Sequence, residues 1–470
     1  MSRRSGGALL LTVAAVGAAL GGCLRRSDFV PPPPPLPLEP AAPTPVLPPP
    51  GTPLTAADAV RLVLERNPSL RAADARVAEA RAGLAQAEAA FWPRLSADVS
   101  YLVGDAPSAF LFKRIDARAL PPNINFNDPG QFSNLEGGLT LRWNLWNGGR
   151  DLLGRWAADT AAASARLARD AAANALVAAT LAAYLDARAA RALRAADDAN
   201  VRTVEAQVEE SRVKVEGGGA LRSDLLSLEV RLAEAREQRA RSEVAERLAL
   251  AVLRDLLALP ADASLEVADE GIDAAALPST AADALAEAYR RRPEAAIARQ
   301  AVERARLELA SARRAYSPRL DVESRLYGDD AEARFSPGDR NWTVAIALSV
   351  DLFDGGTRAA NIARARAALD ALAEEDRRAL LAVAREVETA YLRLDEARTR
   401  AAVAAQAVGA AEETLDLVTA QYRGGAATVT RYLEAEAARA RARTAHIEAQ
   451  LDVDRAVVEA SRAIGRLVGI

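Results

Sequence analysis

Two stretches of the chain repeat each other at fixed offsets. Thr55, Asp58, Pro68, Pro93 and Arg94 return 225 positions later as Thr280, Asp283, Pro293, Pro318 and Arg319. Further on, Leu145-Trp146-Asn147-Gly148-Gly149 matches Leu352-Phe353-Asp354-Gly355-Gly356 at an offset of 207, and Tyr184/Tyr391 and Gly217/Gly424 keep that offset. The drop of 18 (225 − 207) places one longer loop in the first copy, between Tyr101 and Leu139. A duplication of this size constrains every later assignment, because whatever one copy folds into the other folds into as well.

Each copy opens with a capping box, Thr55 with Asp58 and Thr280 with Asp283, which starts a short helix. Pro68 ends the first of these at Asn67 and opens a second helix from Ser69 to about Ala90; the copy runs from Glu294 to Tyr316. After Pro93 and Pro318 the period of the apolar residues switches from 3.6 to 2. Leu95, Ala97, Val99, Tyr101 and Val103 alternate with polar neighbours, as do Leu139, Leu141, Trp143 and Leu145. Leu320, Val322 and Leu326 follow in the second copy, then Trp342, Val344, Ile346, Leu348, Val350 and Leu352. The spacing predicts strands at about 94–104, 135–146, 319–328 and 341–353.

Strands of about ten residues with one apolar and one polar face have the length and pattern of a membrane barrel with a wet lumen. Trp92, Trp143, Trp146 and Trp342 fall at or near strand ends, where aromatic girdles sit. A soluble sheet with one buried face has the same periodicity, but the flanking helices offer it no obvious cover. Those helices are long: Arg150 to Glu216 has no proline and only Gly154, enough for a helix of roughly 100 Å. Its copy runs from Thr357 to about Arg423. Each turns at glycines, with tips predicted at 216–221 and 423–429, and returns as an antiparallel hairpin.

Four such strands cannot stand alone in lipid, since two open edges leave backbone groups unpaired in hydrocarbon. The barrel therefore closes by oligomerisation. Helices of that length exceed the roughly 30 Å core of a bilayer and project into an aqueous space.

Composition narrows the rest. A net charge of −4 and no basic domain face exclude a nucleic-acid role. One Cys, one Met and one His (His446, in a helical run) leave no soft-metal cluster, no Cys/His nucleophile pair and no resident cofactor, so an enzyme is not expected. Residues 1–22 read as a signal peptide: Arg3 and Arg4 precede an apolar stretch too short to span a membrane. Leu20-Gly21-Gly22-Cys23 resembles a lipobox, which predicts an S-diacylglycerol and N-acyl lipid on Cys23; an ordinary signal with an incidental Cys is the alternative. Pro31 to Pro53 holds thirteen prolines in 23 positions, a polyproline II tether that completes residues 23–53. Residues 54–258 form the first repeat, 259–278 an inter-repeat segment packed outside the helices, and 279–470 the second repeat.

The motifs WPRL and SPRL, the strand-end WNGG and FDGG, and the tips VKVEGGGALRSDLL and QYRGGAATVTRYL together resemble the TolC-like outer-membrane efflux family, over Thr55 to the C-terminus. With the lipobox and proline-rich lead, the chain is similar to the lipoprotein branch that partners tripartite drug-efflux pumps. The resemblance implies a mostly helical fold with a small transmembrane β part: a homotrimer whose 12-stranded barrel in the outer membrane continues as a twelve-helix periplasmic tunnel. It implies that a periplasmic adaptor and an inner-membrane pump dock at the tips, around Gly218, Gly219, Ala220, Leu221, Gly425, Ala426 and Ala427, residues that also serve as plain turns. The family's gate matches Asp224 and Tyr422, read as a latch or as surface residues of a coiled coil. Its narrowest ring matches Arg431 and Glu434, where Arg431 departs from the acidic pattern.

These features lead to a passive exit duct for small toxic compounds, gated at the tips. A duct for type I protein secretion and a lipid-anchored periplasmic scaffold without a pore remain as alternatives at this point. The exported substrate is not written in the sequence.

Overall fold

The computed structural model describes residues 52–219, 221–271, 277–330 and 340–466. The signal peptide, Cys23, the tether as far as Gly51, and Ala220 lie outside the described residues.

The first repeat contains α1 (Ala56–Arg66), α2 (Pro68–Glu88), β1 (Arg94–Gly104), α3 (Pro107–Asp116), β2 (Phe132–Trp146), α4 (Arg150–Glu216) and α5 (Arg222–Leu256). The second contains α6 (Ala281–Arg291), α7 (Pro293–Arg313), β3 (Arg319–Asp330), β4 (Arg340–Ser349), α8 (Thr357–Arg423) and α9 (Val429–Ile464). Thr55 caps α1 and Thr280 caps α6, each hydroxyl accepting from an Asp backbone N–H at 3.1 Å. Both α4 and α8 are 67 residues long, and each follows a glycine in the left-handed region, Gly149 at φ +82° and Gly356 at φ +86°.

The four strands form one antiparallel sheet in the order β1-β2-β3-β4. Register places Leu95 opposite Leu141, Leu139 opposite Leu326, and Val322 opposite Ile346, so the apolar residues of all four strands share one face. That face is open: Val99 is 76% exposed and Ile346 70%. The other face is polar, with Arg142 to Glu323 at 2.9 Å and Asn144 to Asp321 at 2.7 Å. Among the described residues no helix is long and apolar enough to cross a membrane.

The last strand ends at Ser349, four residues short of the position its alternation predicts. Ser349 pairs with Arg319, and the next residue of the partner strand is Pro318, which has no N–H to continue the ladder. Val350 to Asp354 instead lead into α8, with the Asp354 carboxylate accepting from the backbone of Gly356 at 3.1 Å and Arg358 at 2.9 Å. At its other end β2 starts at Phe132 rather than 135, because β1 runs to Gly104 and pairs there. The long connection between β1 and β2, read as a loop, contains the helix α3.

Below the sheet the helices run side by side, α4 against α2, α5 and α7, and α8 against α7 and α9. Alanines fill their contacts: Ala173, Ala187, Ala390 and Ala460 are all at most 1% exposed. The inter-repeat segment straps across α4. Leu54 and Val267 form a parallel bridge, and the repeat-related tyrosines each hold a carbonyl, Tyr184 that of Ala268 and Tyr391 that of Pro278, both at 2.9 Å. Burial pushes the Tyr184 phenol up to about 12. Tyr184→Phe is expected to lower stability by about 1 kcal/mol, the net worth of one such bond. Thermal melting of variant and parent checks it, and an unchanged midpoint would show that the strap is held by packing alone.

A second device closes the C-terminal end. Arg466 grips Glu287 with two bonds of 2.6 Å and holds its carboxyl below the ordinary 4.5. A carboxyl whose folded pKa is depressed stabilises the fold above its unfolded value, and that contribution is lost as pH falls through the folded one. Glu287→Gln should therefore lower the melting temperature at neutral pH and flatten its decline below about pH 4.5. Parallel melting-against-pH curves for parent and variant would contradict this.

Candidate functional site

The ends of the two hairpins farthest from the sheet gather the chemistry. α4 stops because Gly217 and Gly218 follow, the latter at φ +74°, and the Gly219 N–H turns back to the Lys214 carbonyl at 2.7 Å. The second tip repeats this: Gly425 takes φ +75° and the Ala426 N–H donates to the Gln421 carbonyl at 2.8 Å. A left-handed residue at this place satisfies the last carbonyls of the helix, and glycine adopts it without a Cβ clash. Past the turn the two copies diverge. Thr428 caps α9 through its hydroxyl, whereas Leu221 at the N-cap of α5 offers no side-chain cap and is 68% exposed. Gly218, Gly219, Gly425 and Ala426 are exposed and Ala427 is half-buried.

Beneath the tips Val208, Leu228 and Val429 form a buried cluster flanked by Tyr422 and Leu433. Tyr422 stacks on Tyr432, ring centroids 5.2 Å apart and planes 16° from parallel. Burial raises the Tyr422 phenol, and the Asp224 carboxylate adds to it. These two are brought near each other, yet among the described residues no hydrogen bond joins them. The Tyr422 ring is committed to Tyr432 instead. Arg431 and Glu434 both lie exposed in the first turns of α9, and Arg431 Nη1 is 3.6 Å from Glu434 Oε2. They pair along their own helix, so neither presents a bare charge.

A different set of polar groups links the hairpins. Gln207 of α4 donates through Nε2 to Tyr432 Oη and, at 2.8 Å, to Glu436 Oε1, both on α9. Glu436 is fully buried, with Arg439 Nη2 at 4.0 Å. Burial and that carboxylate push the Tyr432 phenol up to about 12, so it stays protonated. A buried carboxylate is costly unless it is paired, so the Gln207–Tyr432–Glu436 set holds α4 and α9 in one relative position. A cavity of about 50 Å³, lined by Gln207, Ser211, Tyr422 and Tyr432 among others, lies beside it.

The chain-wide arrangement matches known proteins. The sequence model of the outer membrane efflux protein family matches residues 59–259 and 284–466, which is most of both repeats. The chain belongs to the outer membrane efflux protein family. Membership makes it a passive outer-membrane channel protein with a periplasmic helical part, and not an enzyme. The chain is 27% identical over 181 residues to the outer membrane protein OprJ of Pseudomonas aeruginosa, a match spanning 38% of the chain and 38% of that relative. Solved structures extend the fold over 87% of the chain. A membrane protein of Pseudomonas aeruginosa matches with a TM-score of 0.77 at 24% identity over 90% of its length. The outer membrane protein VceC of Vibrio cholerae matches with a TM-score of 0.74 at 19% identity over 96% of its length.

Proposed function

We propose that three copies of this chain form the outer-membrane exit duct of a tripartite efflux system, anchored additionally by lipid on Cys23. One observation carries the proposal: a four-stranded sheet with two open edges and an exposed apolar face is joined, at one end of its strands, to two 67-residue helices too long for a bilayer. Pooled in a trimer, the sheets close a 12-stranded barrel with no edge in lipid, and the hairpins continue it as a tunnel. The glycine tips and the exposed Leu221 offer a periplasmic adaptor a surface to dock, and an inner-membrane pump supplies the energy. The cargo is small toxic compounds. The match to the outer membrane efflux protein family over both repeats supports this reading over protein secretion.

The gate sits at the tips. Asp224 and Tyr422 are set to latch neighbouring helices once copies assemble, and Asp224→Ala or Tyr422→Phe is then expected to raise single-channel conductance in planar bilayers. Unchanged conductance in both would remove the latch. Deletion of the gene tests the whole: hypersensitivity to small toxic compounds supports efflux, while loss of one secreted protein with normal resistance supports type I secretion. Metabolic labelling with a fatty acid should mark the wild type and leave Cys23→Ser unmarked.

A further inference from the structure

The two copies differ most in one connection. Residues 105–131 join β1 to β2, against 331–339 between β3 and β4, so the excess of 18 residues (27 − 9) lies here. It is spent on α3, which packs on the polar face of the sheet. Lys113 pairs with Glu136, and its Nζ lies 3.0 Å from Asp329 Oδ1, which also accepts from Asn134 Nδ2 at 2.6 Å. The Tyr327 hydroxyl donates to the Asp116 carboxylate at 3.2 Å and Asn341 Nδ2 to the Asp116 carbonyl at 2.9 Å. Phe110 meets Phe132 edge to face at 5.4 Å, and both rings are buried. Glu136, Asp329, Asn134 and Tyr327 all belong to the face whose neighbours are Arg142, Glu323 and Asn144.

The opposite side of α3 is apolar and open. Phe112 lies 200° around the helix from Phe110, Ile115 sits one turn on, and they are 65% and 48% exposed. Two large apolar side chains on a helix fixed inside a wet lumen have no lipid to meet. The same residues of other copies are what the symmetry of a closed barrel brings to them.

We propose that α3 from each of three copies forms a second constriction at the outer mouth of the duct, with Phe112 and Ile115 as its apolar ring; this rests on the trimeric duct proposed above. Size supports it. Twelve strands about 4.8 Å apart and tilted about 45° enclose a circle about 26 Å across, while three helices about 10 Å thick need about 22 Å. With side chains lining the wall, little free cross-section is left. A hydrophobic ring of this kind impedes water and ions until cargo parts it, so it sets the size and polarity of what passes.

The test is single-channel conductance of the full-length chain in planar bilayers, in a background opened at the tips by Glu436→Ala. The double variant Phe112→Ser with Ile115→Ser is expected to conduct about threefold more than this parent, as an apolar constriction becomes wet. Equal conductance would overturn the proposal. Ile115→Cys gives a second measure that keeps the helix: a bulky thiol reagent added from the outer side should block most of the current, and full current after confirmed labelling would overturn it. The parent and the double variant together report on the duct. If neither conducts, the duct is wrong and this constriction falls with it; if the parent conducts and the variants match it, only the constriction is lost.

Discussion

Gly148→Ala is expected to destabilise the strand-to-helix junction by about 4 kcal/mol and to leave little assembled channel. A Cβ at Gly148 would lie 2.4 Å from the Ser317 Cβ and 3.1 Å from the Arg314 carbonyl, both on the turn that launches β3. The position also takes φ +74°, which costs an L-residue about 1–2 kcal/mol by itself. Duplication supplies the control. Gly355, its equivalent, has φ +64° and open space around the missing Cβ, so Gly355→Ala should lose only that backbone cost. Thermal unfolding in detergent, together with the fraction of oligomer on semi-native gels, separates the two. Equal losses at both positions would mean that the backbone angle alone matters and that the Ser317 contact does not.

Glu436→Ala should open the tips and weaken the protein at the same time. The carboxylate is fully buried and accepts from Gln207 Nε2, so its removal leaves the amide only Tyr432 to donate to and leaves Arg439 without its acid. Breaking a buried polar set by deleting one partner costs about 3–5 kcal/mol. Part of that loss falls on the contact between α4 and α9, and conductance and uptake of large antibiotics should rise together. Glu436→Gln keeps an acceptor for Gln207 and is expected to behave much more like the wild type. If alanine and glutamine variants both conduct as the parent does, the Gln207–Glu436 contact holds structure and has no part in the gate.

The repeat makes most of the architecture legible in the sequence. Helices α2 and α7 start at prolines and α4 and α8 at glycine pairs, features that local chemistry fixes and that recur at the offsets of 225 and 207. The strands are readable because the outer face of a barrel keeps strict alternation. The features that escape have no copy to compare. Helix α3, with the segment PSAFLFKRID, lies in the connection that is 18 residues longer than its counterpart, and its ionic anchors Glu136 and Asp329 come from two different strands. The end of β4 depends on Pro318, a residue of its partner, which no pattern within 341–353 reveals. Glu436 escapes for another reason. It stands among Glu434, Arg439, Arg441 and Arg443, where acids and bases mark a solvated helix, and only the return of α4 against α9 buries it. The buried Val429 and Ala435 on the same helix are the available signal. Conversely Asp224 and Tyr422 stand out by resemblance, and within one protomer the stacking of Tyr422 on Tyr432 takes the place of a bond between them.

The terminal strands β1 and β4 each keep one side unpaired among the described residues, and these sides differ, so in the trimer proposed above one copy's β1 meets another's β4. Biogenesis then acquires a kinetic order. A newly secreted chain carries two sticky margins that nothing in its own sequence can sate, and the rate at which they are quenched depends on how often siblings collide. Low expression should favour lingering, protease-sensitive intermediates, and a chain with a defective margin should poison its normal siblings, because a ring missing one seam is no ring.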